Sequence, residues 1–485
     1  MKYSPVENFI NGQFVKPSTT RLMDVISPID GNHLSTVPMS TSDDLKRAVN
    51  AAKVAFPGWS RTPIKERVQV FFKYKTLLEK NLKELAELVM EENGKTYSEA
   101  VAEIEKSIEL SEFATSLPQL VVGEVLEVSK GVECRTEHVP LGVVASIVPF
   151  NFPSMVPNWT LPNAIALGNC MIIKPSEKVP LSVGRLASLL KEAGLPDGVF
   201  NIVHGDEEIV NAICDHPGIE AVSFVGSTKV AKIVYQRATH NYKRCLALGG
   251  AKNHLMVLPD AIPAMTAQNV AASMSGCAGQ RCMAASAMVA VGAVDHIIEK
   301  ICEEARKIVP GKNLGAVINQ HSKDRIEAFI TEAEKQGAKI LVDGRKTVVA
   351  GKEKGTYVGP TVIDFVTPTM SVATEEIFGP VISIMRTNTV DEALAIENAN
   401  PYGNAASVFT QSGGVARYII DNASAGMIGV NVGVPVPREP FSFGGWNESK
   451  FGVGDITGKS SIEFWTKLKK STTKWNPEAG VNWMS

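Results

Sequence analysis

Cys282 lies in SGCAGQRCMAAS, among small residues that leave a sulfur approachable. Arg281 beside it would favour the thiolate, the form of cysteine that attacks carbon. A thiolate so placed adds to a carbonyl. Taken alone, the same thiol also reads as a small buried apolar residue, and Cys277 keeps that reading on the apolar side of a helix predicted to run through Ala278. Asn151 in VPFNFP ends a predicted strand just before a proline turn. A side-chain amide beside the backbone N–H of a nucleophile suits the alkoxide that forms when a thiol adds to an aldehyde. Asparagine is also ordinary in turns.

Two further motifs concern a cofactor. FVGST (Phe224–Thr228) ends a predicted strand, turns on Gly226 and opens a helix with Ser227 at its N-cap, so that free N–H groups and the helix dipole face one spot suited to a pyrophosphate. It lacks the three-glycine dinucleotide signature, and by itself reads first as a strand, turn and capped helix. IIKPSEK puts Lys174, Glu177 and Lys178 at the carboxyl end of another predicted strand, where doubly wound sheets bind ligands. Glu177 could accept bonds from ribose hydroxyls and would repel a 2′-phosphate, which favours NAD over NADP. Alone, this is equally a solvated charged loop; the recurrence of such a site one βαβ step later favours the functional reading.

These residues need a scaffold. Residues from about Ser42 to Phe113 are rich in Ala, Leu, Glu and Lys at helical spacing, predicting two or three long helices. Residues 121–139 alternate in β fashion and predict a projecting hairpin. From Gly142 short β-rich runs alternate with helical ones, the rhythm of a parallel α/β sheet, and a second series starts near Leu246. The stretch from Ser460 returns to β-type residues that could pair with the hairpin or with another subunit. With 485 residues, 49 Lys and Arg against 51 Asp and Glu, the chain can build a large core and has no charge bias towards nucleic acid or an anionic membrane. Seven scattered cysteines without CxxC spacing predict neither a metal site nor a disulfide frame and fit a reducing cytoplasm. No basic, apolar leader and no apolar run of roughly 18 residues is present, so secretion and membrane insertion are not expected.

In series, PFNFP, KPSEK, FVGST, LGGAK, GQRC, EEIFGPV and PFSFGGWNESKFG resemble the aldehyde dehydrogenase superfamily over essentially the whole chain. The resemblance implies Cys282 as nucleophile, Asn151 as oxyanion donor, and Lys174, Glu177, Lys178 and Ser227 around the adenosine part of NAD. Phe150 and Gly249 join that cofactor set, and Glu376 and Phe378 would place the nicotinamide ribose and ring. The implied fold is α/β: a Rossmann-type NAD domain (1–120, 141–245, 440–464), a catalytic α/β domain (246–439), and a β-hairpin oligomerisation element (121–140, 465–485) that makes a homodimer or homotetramer.

Within the superfamily, GAKNH (Gly250–His254) and RCMA resemble the methylmalonate or malonate semialdehyde dehydrogenase branch. Hydrolytic members carry a water-activating glutamate four residues before the GGK-type lysine; here that place is Leu248, which cannot take a proton. The branch passes its acyl group to coenzyme A instead. It holds a substrate carboxylate with two arginines. Arg281 matches one, and the other falls on Lys106, which keeps the charge without the bidentate fork. Gln280 stands where glutamate is frequent. The expected substrate is a short anionic aldehyde, carboxylated or sulfonated; a non-catalytic relative of the fold would have no use for both Cys282 and Asn151.

Overall fold

A computed structural model describes residues 1–475. Four helices follow the short N-terminal strands: Ser42–Arg61, Ile64–Lys80, Leu82–Asn93 and Tyr97–Leu120. The periodicity predicts two or three, but local signals cut the run further. Thr62 and Pro63 break the first join, Asn81 is shared between two helix ends, and Gly94 ends the third helix with φ 91°, a left-handed C-cap that glycine adopts without strain.

The larger sheet has eight strands in the spatial order Gln13–Val15, Asn8–Ile10, Phe200–Ile202, Cys170–Lys174, Val143–Ile147, Ala221–Val225, Arg244–Leu248 and Lys450–Phe451. The five central strands are parallel and the outer ones antiparallel. The chain leaves Val143–Ile147 towards one edge and returns to Ala221–Val225 on its other side. This reversal opens a crevice at the carboxyl ends of those two strands, where Asn151 and Ser227 follow.

The second sheet, of seven strands, runs Lys339–Val342, Thr361–Asp364, Val381–Thr387, Ala285–Val291, Asn253–Val257, Ala405–Phe409 and Met427–Val430, parallel except at its first pair. Successive residues of Asn253–Val257 enter different cores: Leu255 and Val257 pack on one face, Met256 on the other. Helices cover both faces, so these strands read as continuous apolar runs.

Val125–Ser129 and Val132–Pro140 form the expected hairpin, joined antiparallel by Thr466–Lys474 of the same chain. The stretch from Ser460 is thus not all β: Ser460–Trp465 is a short helix whose Trp465 is fully buried. Residues 476–485, assigned from sequence to the oligomerisation element, lie outside the described residues. Among the described residues no helix is long and apolar enough to cross a membrane.

Candidate active site

Cys282 lies in the loop that leads into Ala285–Val291, and its main-chain carbonyl is fixed twice. Asn253 Nδ2 and Asn404 Nδ2 each donate to it at 2.8 Å, from the start of one strand and the residue before another. Asn253 also reaches Ala284 O and accepts from the Ala405 N–H. Upstream, the helix predicted through Ala278 ends at Ser275. Cys277, Ala278 and Gly279 turn in left-handed conformation, with φ of 51°, 53° and 71°. A Cβ on Gly279 would stand 2.0 Å from Gly379 O, so only glycine lets this turn touch the loop bearing Glu376 and Phe378.

Cys282 lines two cavities. One, of about 810 Å³, opens at the switch point of the eight-stranded sheet and is lined by Phe150, Asn151, Lys174, Glu177, Lys178, Ser227, Gly249, Glu376 and Phe378 among others. All the residues assigned to the cofactor are therefore brought together. The second, of about 870 Å³, is lined by Glu99, Lys106, Arg281, Met283, Arg438 and Glu439 among others. Phe152 and Trp159 share the wall with Cys282.

On the first side, Lys174 Nζ donates to Glu177 Oε2 at 3.0 Å. Burial would raise the Glu177 carboxyl, but Lys174, its own N–H and Lys178 hold it below the usual range. Ser227 precedes the helix Thr228–His240 in extended conformation and leaves its hydroxyl out of the cap. Phe150 meets Phe378 edge to face at 5.8 Å, with Lys178 Nζ 5.0 Å from the Phe150 ring centre. Phe378 has φ 56°, unusual for a bulky residue, and needs support from its surroundings. Arg325 supplies some, donating to Glu376 O at 3.2 Å and Ile377 O at 2.6 Å. Glu376 Oε1 accepts the Ala251 N–H at 3.1 Å, and burial pushes its carboxyl up to about 7. Burial likewise pulls Lys252 down to about 7, with no hydrogen-bond partner for its Nζ among the described residues.

The thiol does not behave as its neighbours in sequence suggest. Burial pushes Cys282 up to about 12, and Glu376 adds to the shift; its backbone N–H, that of Met283 and, least, Arg281 oppose it. Arg281 does favour the thiolate, as its place in the chain suggests, but desolvation outweighs it, and the guanidinium also faces Glu99 at 3.7 Å.

Asn151 is buried, its Nδ2 donating to Gln280 O at 3.0 Å. Its own carbonyl accepts from Lys95 Nζ at 2.8 Å, and Lys95 is paired with Glu103 in full burial. Glu103 Oε1 in turn takes the N–H groups of Ser154 and Met155, at the start of the helix Met155–Ala166. A buried ion pair thus braces the PFNFP loop from beneath. Lys106 faces the second cavity bound to Glu439 at 2.6 Å and Glu109 at 3.2 Å, so the cation expected to hold the substrate's anionic group is already paired. Leu248 packs into the core of the larger sheet and lines neither cavity.

Four contributors escape the sequence reading. Asn253 falls inside GAKNH, where its place in the motif is a signal; Arg325, Asn404 and the Lys95–Glu103 pair carry none, being joined to the site only by the fold.

A profile of the aldehyde dehydrogenase family matches residues 14–471. Over 478 residues the chain is 45% identical to malonate-semialdehyde dehydrogenase 1 of Geobacillus thermodenitrificans, covering 97% of this chain and 99% of the relative. Among solved structures, methylmalonate-semialdehyde dehydrogenase from Oceanimonas doudoroffii is similar with TM-score 0.97 and 42% identity, over 99% of this chain and 100% of that one. An indole-3-acetaldehyde dehydrogenase solved with NAD+ is similar with TM-score 0.93 and 31% identity, over 97% of each chain.

Proposed function

Since this chain belongs to the aldehyde dehydrogenase family, we propose that it oxidises malonate semialdehyde or methylmalonate semialdehyde with NAD and passes the acyl group to coenzyme A. The products are acetyl- or propionyl-coenzyme A, carbon dioxide and NADH. The observation that carries the reading is Leu248: the place of the water-activating glutamate holds an apolar side chain committed to the core, in a chain similar over its full length to malonate-semialdehyde dehydrogenases.

The cavity at the switch point suits a dinucleotide in size and in donor set. Lys174 and Glu177 would hold the adenosine ribose, Ser227 the pyrophosphate end, and Glu376 with Phe378 the nicotinamide half. NAD, when bound, accepts the hydride. The Cys282 thiol gives up its proton to solvent, and its sulfur adds to the aldehyde carbon. The oxygen that takes up the electron pair is met by the second Asn151 N–H, since the first is engaged by Gln280, and by the Cys282 backbone N–H. After oxidation the carbon is a thioester on Cys282. The C–C bond to the substrate's carboxylate breaks with release of carbon dioxide, and the α-carbon takes up a proton from solvent; the thiolate of coenzyme A attacks the thioester carbon, the bond to Cys282 breaks, and no protein base is needed to activate water. Arg281 holds the acidic end of the substrate in the second cavity.

The seven cysteines are all free, in keeping with a reducing cytoplasm. We assign the three-stranded sheet to contact between like subunits, giving a homodimer or homotetramer. The test is NADH formation from semialdehydes with and without coenzyme A, with the acyl product identified by mass. The expected result is turnover that requires coenzyme A. Full-rate turnover without it, yielding free acid, overturns the acylating reading.

A further inference from the structure

Lys106 and Glu439 come from opposite walls of the second cavity: one from the helix Tyr97–Leu120, the other from the loop after Met427–Val430. They meet at 2.6 Å with side chains 19% and 8% exposed, so this pair is not a screened surface contact. Glu109 also approaches Lys106, at 3.2 Å, but from a 40% exposed position one turn along the same helix. The other cations of the cavity are held more loosely. Arg281 has Glu99 at 3.7 Å, and Arg438, exposed, has no carboxylate within 4.0 Å among the described residues.

We propose that Glu439 is a specificity-determining residue that, with Glu109, cancels the charge of Lys106, so that the acidic end of an aldehyde is read by Arg281 and not by Lys106. The inference rests on the reading of the substrate as an acidic aldehyde. A substrate anion that approaches Lys106 meets the carboxylates of Glu439 and Glu109 already on it, and stripping the 8% exposed Glu439 of its partner is costly. The identity of residue 439 therefore governs how strongly the cavity prefers acidic over neutral aldehydes.

A double-mutant cycle tests this with two readouts: Kd for malonate, a small dianion, by calorimetry, and KM for malonate semialdehyde relative to propanal. Glu439→Gln keeps the shape and removes the charge. It is expected to tighten malonate about tenfold and to shift the KM ratio towards the acidic aldehyde by a similar factor, the scale of one charge pair in a partly buried site. The effect of Lys106→Met on both readouts is expected to be about tenfold larger in the Glu439→Gln background than in the native chain. An equal effect in the two backgrounds overturns the proposal, because Lys106 then reads the anion despite its partner or not at all. Failure of Glu439→Gln to tighten malonate overturns it too. Thermal midpoints identify a misfolded variant, in which case Glu439→Ala replaces Glu439→Gln in the cycle. If malonate semialdehyde is not oxidised at all, the proposed function falls, while the malonate Kd values still decide the role of Glu439.

Discussion

Asn151 donates its side-chain amide to the main-chain carbonyl of Gln280, two residues before Cys282, at 3.0 Å. Gln280 is itself anchored: its Oε1 accepts the Ile318 N–H at 2.9 Å and its Nε2 reaches the carbonyls of Cys277 and Ala316. One N–H of the Asn151 amide is thereby spent on orientation and the other remains for an oxygen formed at Cys282. Replacing Asn151 by Ala is expected to lower kcat for aldehyde oxidation by about 10²–10³-fold, the usual loss of one oxyanion donor. NAD binding, followed by fluorescence titration, should change far less. A fall in kcat of under about fivefold would contradict the assignment.

The thiol at Cys282, pushed up to about 12 by burial and by Glu376, is protonated at neutral pH in the cofactor-free chain. Below a pKa the thiolate fraction rises about tenfold per pH unit, so alkylation of Cys282 by iodoacetamide should keep climbing from pH 8 to 10, where an ordinary thiol of pKa about 8.5 levels off. Glu376 raises the thiol through its charge, so Glu376→Gln should move the profile to lower pH and speed alkylation at any fixed pH between. Peptide mapping isolates the Cys282 signal from the other cysteines. A plateau near pH 9 in the native chain is the result that refutes this.

Glu177, held ionised by Lys174 and Lys178, puts a negative charge in the cavity proposed for the dinucleotide, where it would repel a 2′-phosphate. In Glu177→Gln the repulsion is gone and Lys174 loses its anchor. The ratio of kcat/KM for NADP to that for NAD is expected to rise about tenfold. An unchanged ratio would move the ribose contact elsewhere.

Arg325 props the main chain of Glu376 and Ile377, next to a Phe378 in left-handed conformation. Arg325→Met should raise KM for NAD about fivefold while kcat for the bound complex falls less, because the loop is loosened and no reacting group is removed. A fall in kcat with KM unmoved would give Arg325 a different role.

Sequence reading reached the site through motifs that sit at strand ends. VPFNFP, IIKPSEK and FVGST each follow a strand of the eight-stranded sheet, and the parallel rhythm is enough to bring their ends together. The residues it missed belong to no such pattern. Asn404 reaches the Cys282 carbonyl only because Ala405–Phe409 lies beside Asn253–Val257, a pairing across about 150 residues that local periodicity does not encode. The misjudged charges have the same origin. Arg281 lowers the Cys282 thiol as its place in the chain suggests, but desolvation, a property of the packed site, outweighs it. The pairing of Lys106 with Glu439 is not legible because Glu439 is distant in sequence.

Cys282 stands on the wall common to two chambers, and this bears on the order of traffic. In the proposed reaction, an acyl group on its sulfur would be open to approach from the side of Glu99 and Arg281 while the side of Lys174 and Phe378 is still filled. Departure of the spent redox partner and arrival of the proposed acyl acceptor would then not queue for one passage, and inhibition by either product would fall on a separate kinetic form.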